Sequence, residues 1–214
     1  MSSLPSLQAL RFDLTGWNPE LQSEDEVRWT SAAGDVLSLH LIAVPPDIPV
    51  RLEALPELRG FYRKSTVGAG GGIVEVDVVS QAGLRWVRTI SKFPQRPTGM
   101  AYIGSLVLPF AAFSYVIKVQ CPEQAITGLR DTLILSTLMP QDRDPQRWVE
   151  EEWAQDPYDP SDRSRIRRNL SEDEQYDAEF PDHPLTRARR HLGNILRSLE
   201  VEPSVREAAP FTRG

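Results

Sequence analysis

The side chains that could carry out chemistry are few and widely spaced. The chain has three histidines, His40, His183 and His191, and one cysteine, Cys121. His183 and His191 stand eight residues apart with no third ligand at metal spacing, and one cysteine supplies neither a disulfide nor a multi-cysteine zinc site. A nucleophilic pair of His40 with Cys121 stays open, although neither lies in a recognisable local signature. The sequence therefore predicts no catalytic, cofactor-binding or metal-ligating residue.

Carboxylates occur in clusters at 24–26, 150–152 and 172–174, and Asp156, Asp159 and Asp162 are spaced three apart. Paired acids can act in acid–base catalysis or bind a hard cation. A calcium loop of the EF-hand type needs acids two residues apart, a glycine and a distant glutamate, which are missing here. These clusters are therefore predicted to be solvated surface.

The glycine run at 68–72 is the segment that most resembles a phosphate loop, since glycine lets a backbone approach phosphate closely. It lacks the Gly-Lys-Ser/Thr ending and lies between a helix and a strand, the reverse of the phosphate-loop order. It is predicted to be a connector. The alternative is a small-ligand pocket beside this run, lined by Trp86, Tyr102 and Tyr115.

Composition limits the function further. Of 214 residues, 40% are hydrophobic, and the net charge is −6, of which −5 falls after Pro140. That balance favours a globular domain and disfavours nucleic-acid binding, because an acidic chain repels phosphate. The N-terminal residues have neither a cationic start nor a long apolar run, and no window is apolar enough for a membrane helix. We therefore expect a cytoplasmic protein without a membrane segment.

Hydrophobic periodicity predicts an antiparallel sheet of about six strands in hairpins and a meander. The pattern indicates an opening strand over 10–14 and alternating strands at 26–30, 36–44, 73–79, 84–90, 100–108 and 112–120. Amphipathic helices are predicted after Pro45-Pro46 and over 122–138, the second with Ile126, Leu129, Leu133 and Ile134 buried. Four consecutive strands with short turns exclude a doubly wound parallel sheet, so the fold class is α+β.

The chain changes character at Pro140. Residues 1–140 form the predicted sheet domain, and residues 141–214 form an acidic, proline-rich extension. Apolar residues at helical spacing predict a C-terminal amphipathic helix over 184–201, suited to pack on this protein's own sheet or on a partner. The extension is expected to pack on the first domain.

The element order resembles the PsbP-like α/β/α sandwich of photosystem accessory proteins and bacterial relatives. The resemblance covers residues 8–140 and rests on Trp29 in an early strand, the glycine-broken link into a meander, and a helix after Cys121-Pro-Glu123. It implies an accessory or binding module and transfers no active site. The extension has no counterpart in that fold.

Aromatic residues decorate the acidic extension between the sheet and the last helix: Trp148, Trp153, Tyr158, Tyr176 and Phe180. They either anchor the extension across the core or form a hot-spot surface for a basic protein partner. We expect a non-enzymatic, protein-binding molecule of bacterial type, such as an immunity or secretion accessory protein, with a homo-oligomer as a further option. The alternative is a small-ligand-binding module or an unrecognised enzyme.

Overall fold

The structure, a computed structural model, describes residues 6–124 and 126–213. A seven-stranded antiparallel sheet runs through it, in the order β2-β3-β4-β8-β7-β6-β5. The strands are β2 (Trp17–Gln22), β3 (Glu26–Ser31), β4 (Val36–Ile42), β5 (Gly72–Gln81), β6 (Leu84–Pro94), β7 (Met100–Pro109) and β8 (Ser114–Pro122). The α+β prediction, with hairpins and packed helices, is confirmed.

The opening of the chain differs from the prediction. Only β1 (Leu10–Arg11) is extended, and it pairs with β9 (Glu200–Val201) in a separate two-stranded sheet. The first strand of the main sheet is β2, which was not predicted because its outer residues are exposed and Pro19 interrupts its alternation. β2 is an edge strand, where proline is tolerated.

Five α-helices accompany the strands in the described residues: α1 (Leu55–Gly68), α2 (Leu129–Leu138), α3 (Pro145–Trp148), α4 (Pro184–Ser198) and α5 (Pro203–Arg206). α1 packs on β5, and α4 packs on β7 and β8. The predicted helix over 122–138 is shorter than expected, since Gly128 adopts a positive φ and the helix begins after it. No helix of the described ranges is long and apolar enough to cross a membrane.

The main core lies between the sheet and α4. The helix buries most of its predicted apolar stripe against the sheet, with Leu185, Leu192 and Ile195 at most 2% exposed. Leu196 of the same stripe is only partly buried. Of the two occupants left open for this stripe, the structure shows the protein's own sheet. A second cluster joins α1 to the opposite face, and a third joins α2 to the segment after it.

Candidate functional site

The segment after α3, residues 149–183, places the charged side chain of Glu172 inside the protein. Lys92 Nζ lies 2.8 Å from Glu172 Oε2, and the Tyr102 hydroxyl donates to the other carboxylate oxygen of Glu172. The backbone N–H of Asn169 also donates to Glu172. Burial and the adjacent Glu172 raise the pKa of Tyr102 well above its usual value. Because every one of these groups is buried and paired, the cluster binds the segment to the sheet and offers no free group to a substrate.

Arg130 is the most buried cation of this network. Its side chain is 0% exposed and donates to Asp177 at 2.9 Å and Thr186 at 3.0 Å, and also to the backbone carbonyls of Ser171 and Asp173. Such complete pairing is what a buried guanidinium requires, since an unpaired charge in the interior is very costly. Arg130 therefore fixes how α2 is rotated about its axis.

Consequently, the prediction for the buried side of α2 is wrong at three of its four positions. Ile126, Leu129 and Leu133 are 72%, 45% and 47% exposed, and only Ile134 is buried. The helix turns Arg130 and Ile134 inward because Arg130 finds all its partners in the segment after α3. Hydrophobic periodicity alone could not show this, since it ranks leucine above arginine for burial.

Ile126, Leu129 and Leu133 form an exposed apolar surface, here called the α2 ridge. The neighbouring exposed positions of the helix are uncharged too: Thr132, Ser136, Thr137 and Leu138. The charged residues of α2 are turned into the protein, where Asp131 accepts from Ser171 and Asn169. Burial raises the pKa of the Asp131 carboxyl. A helix with both its charges inside and leucines outside is unusual for a surface helix.

A groove of about 520 Å³ runs beside the ridge, and its apolar lining includes Ile126, Leu129 and Phe180. Arg130 and Arg187 line it too, but both are buried and paired with carboxylates. Glu179 and Asp182 also line it and are exposed. Among the described residues neither carboxylate has an ion-pair partner, so the groove combines apolar walls with an acidic rim.

The three spaced aspartates converge on one arginine of α1. Arg63 lies 2.9 Å from Asp156 and 3.2 Å from both Asp159 and Asp162. Hydrogen bonds from Ser161, and then the Arg63 charge, lower the pKa of Asp159. A guanidinium thus occupies the position that a cation would take. The side chains of Asp156 and Asp162 are only 3% and 13% exposed. The solvated surface predicted for the carboxylate clusters is also wrong at Glu172, which is 0% exposed.

In the structure Cys121 lies near His191 and not near His40, the histidine that the sequence left open as its partner. His40 lies on the opposite face of the sheet and contacts Ser38 at 2.8 Å. Near Cys121 are Asp35 and His191, whose potential ligand atoms all lie within 4.8 Å of one another. The arrangement has the residue types of a metal site or a nucleophile with its base.

The position of Arg187 argues against a metal site and against a nucleophile with its base. Its guanidinium donates to both oxygens of Asp35, which also contacts His191 Nε2 at 2.9 Å. Burial alone would raise the pKa of Asp35, but the bonds from His191 and Arg187 outweigh it and lower the pKa. Burial raises the pKa of the Cys121 thiol, which keeps it protonated and unreactive. The cluster acts as a buried ion pair that joins α4 to the start of β4.

The five tail aromatics contact this protein's own chain. Trp148 and Trp153 are buried at 5% and 8% exposure, with ring centroids 6.1 Å apart, and Tyr176 packs in the same cluster. The Tyr158 hydroxyl accepts the N–H of Val76 in β5 at 2.6 Å. Phe180 stacks under the guanidinium of Arg130. Of the two roles weighed for these residues, the structure shows the anchoring contacts.

The glycine run and the proposed pocket residues are used for packing. A Cβ at Gly72 would lie 2.6 Å from the carbonyl oxygen of Ile166, so glycine lets the segment after α3 cross the start of β5 closely. Trp86, Tyr102 and Tyr115 are buried at 0–2% exposure within the main core. The space at these residues, the alternative position for a small-ligand pocket, is occupied by the protein's own side chains.

Comparisons with known proteins give a fold likeness only. No protein-family model matches the sequence, and no curated protein matches it either. A crystal structure from Bacteroides thetaiotaomicron is similar at 6% identity and a TM-score of 0.36, covering 55% of this chain and 39% of that chain. This chain therefore spans about two fifths of that protein's length.

The solution structure of cyanobacterial PsbP (CyanoP) from Synechocystis sp. is similar at 11% identity and a TM-score of 0.35, covering 63% of this chain and 88% of that chain. A weak PsbP-like resemblance, as read from element order, is consistent with this similarity. TM-scores of this size carry no argument about function.

Proposed function

We propose that this protein is a non-enzymatic protein-interaction module that binds its partner through the α2 ridge and the adjoining groove. The observation that carries the proposal is the orientation of α2, which buries Arg130 and exposes Leu129 and Leu133. Exposed apolar surface next to a groove is the usual mark of a protein-binding site.

The groove suggests the chemistry of the partner. Its walls are apolar, whereas Glu179 and Asp182 place negative charge at its rim, and the whole chain carries a net charge of −6. An amphipathic helix with an apolar face and basic flanks complements both features. Opposite charges also raise the association rate constant of such a partner, and this rate constant falls as the salt concentration rises.

The surroundings of α2 favour a rigid binding surface. Arg130 links the helix to Asp177 and Thr186, while Asp131 links it to Ser171 and Asn169. A surface held in its bound conformation loses little entropy when a partner docks. The buried polar network therefore supports binding by holding the ridge outward.

The proposal includes two roles for such a module, an immunity protein or a secretion accessory protein that works in the cytoplasm. Both roles require one specific partner and no reaction. They agree with the polar clusters described above, whose groups are buried and paired rather than open to a substrate. A second copy of this chain is the competing occupant of the ridge.

Affinity capture from the native host tests the proposal with matched variants. Leu129→Arg and Leu133→Arg place a charge on the ridge, and Leu21→Arg places one on β2 at a similar exposure of 42%. We expect a protein captured by the wild type and by Leu21→Arg to be lost with both ridge variants, and to be eluted by salt. Equal capture by all four proteins would overturn the proposal.

A further inference from the structure

A second cleft, remote in sequence from α2, opens at the free edge of the sheet. It has a volume of about 590 Å³ and lies between the N-terminal segment and strands β2, β3 and β4. We call it the edge cleft. Its walls include Leu10 and Phe12 on one side, and Leu21, Trp29 and Leu39 on the other.

The edge cleft is continuous with the main core. Leu10 and Leu39 belong to the buried core cluster, and Phe12 and Trp29 pack against it while remaining partly exposed. The rings of Phe12 and Trp29 meet edge to face with centroids 6.1 Å apart. The cleft is thus an opening through which a molecule could reach core side chains without unfolding the sheet.

The polar groups of the cleft indicate what it would hold. Nine of its thirteen lining residues are apolar, and the two charged ones, Arg11 and Glu20, have opposite signs. Arg11 is also paired with Glu202 at 3.2 Å. A lining with balanced charge and apolar walls complements a neutral molecule and gives no net attraction to an anion or a cation.

The edge strand can adapt to an occupant. β2 pairs only with β3, and the pairing shifts between Pro19 and Leu21. A bulge of this kind loosens the ladder locally and redirects side chains. Glu20 is the residue that the bulge leaves without a register partner, whereas Leu21 stays paired with Arg28, so only the side chain of Leu21 can move over the cleft.

We infer that the edge cleft is a binding site for a neutral, predominantly apolar small molecule of aromatic or hydrocarbon character. Its volume falls within the range of roughly 300–1,000 Å³ that is typical of small-molecule sites. The site is separate from the α2 ridge and does not depend on the proposed partner.

Fluorescence titration tests this site with N-phenyl-1-naphthylamine, a neutral apolar probe, beside its anionic relative anilinonaphthalene sulfonate. We expect saturable binding of the neutral probe to the full protein, with weaker binding of the anionic one. Leu21→Arg should weaken the neutral probe roughly tenfold or more, because it brings a charge to an apolar wall. Leu133→Arg, on the α2 ridge, should leave the affinity unchanged.

Energy transfer from tryptophan to the probe locates the site independently. Trp29→Phe keeps an aromatic wall and should lower the transfer more than Trp153→Phe does, because Trp29 lines the cleft and Trp153 lies in the third cluster. Absence of saturable binding would overturn the inference. So would a probe affinity lowered by Leu133→Arg and not by Leu21→Arg, since the probe would then occupy the groove beside α2.

Discussion

Arg130 Nη1 lies 2.9 Å from Asp177 Oδ1, and this buried ion pair joins α2 to the segment that leads into α4. Asp177 also accepts from Arg189, which in turn reaches Glu75 on β5. One carboxylate thereby connects two helices and a strand. The exposed leucines of α2 are a direct consequence, because a helix that turns Arg130 inward must turn Leu129 and Leu133 outward.

Replacing Arg130 tests this pair. We expect Arg130→Met to lower the free energy of unfolding by about 3–5 kcal/mol, since it removes one partner of partly buried Asp177 and the donor to the carbonyls of Ser171 and Asp173. Arg147→Ala is the matched control, because Arg147 and Glu151 form an exposed pair that should contribute less than about 1 kcal/mol. Urea unfolding measures both, and similar small losses for the two variants would contradict the role given to Arg130.

Arg63 can be tested by removing the cation that three aspartates share. Arg63→Ala should lower the free energy of unfolding by roughly 2 kcal/mol, because Asp156, Asp159 and Asp162 then repel one another. Calcium should restore part of this stability in the variant and leave the wild type unchanged, since clustered carboxylates bind hard cations. Thermal melts with and without calcium give the comparison. A variant as stable as the wild type would show that the aspartates do not depend on Arg63.

His183 gives the protein a predictable loss of stability in acid. Burial, and then the nearby charges of Arg130 and Arg187, lower the pKa of its imidazole to about 3. The unfolded chain takes up this proton near pH 6.5, whereas the folded chain resists it, so stability falls as pH drops from about 6.5 towards 3. One proton contributes a slope of about 1.4 kcal/mol per pH unit.

The variant His183→Asn isolates this effect. Asparagine keeps an acceptor for the N–H of Leu185 at the start of α4 but does not titrate in this range. Its unfolding free energy should therefore vary less between pH 6.5 and 5 than that of the wild type. The depressed pKa of His40 contributes to both proteins equally. Identical pH dependence would exclude His183 as the source.

The extension after Pro140 should be indispensable for folding. A chain that ends at Pro140 lacks Leu185, Leu192 and Ile195, which are buried in the main core, and also lacks Glu172, the partner of Lys92. We expect this truncated chain to show no cooperative unfolding transition and poor dispersion in its amide NMR spectrum. A cooperatively folded truncation would mean that the sheet and α1 suffice as a core.

Sequence reasoning predicted the parts of this protein that follow hydrophobic pattern. The strand around Ile117 alternates regularly, and the stripe of α4 repeats at helical spacing, so their buried faces could be read directly. In β5 a bulge after Ile73 breaks the alternation, so Val74 and Val76, predicted to share one face, pack in different core clusters. The orientation of α2 could not be read, because it depends on partners of Arg130 that lie more than 40 residues away in the chain. Long-range polar pairing has no local sequence period.

The candidate site shows the same limit. The tail aromatics were candidates for a partner surface because they are large and grouped. In the structure, Trp148 and Trp153 pack with each other and with Ile134 inside the protein. Leu129 and Leu133 were assigned to the interior because leucine usually lies there. The sequence signal for the ridge is that Arg130 and Asp131 are the two charged residues of α2, so a helix that buries both of them must expose its leucines.

Site-specific photo-crosslinking in the native host tests the ridge most directly. A photoreactive phenylalanine analogue at position 133 should crosslink to a protein segment that is amphipathic and basic, while the same analogue at position 21 should not crosslink to it. Positions 133 and 21 are similarly exposed, so a difference in crosslinking reports which surface the partner contacts and not how accessible the analogue is. Crosslinks from position 133 only to this chain itself, or the same protein from both positions, would contradict the account.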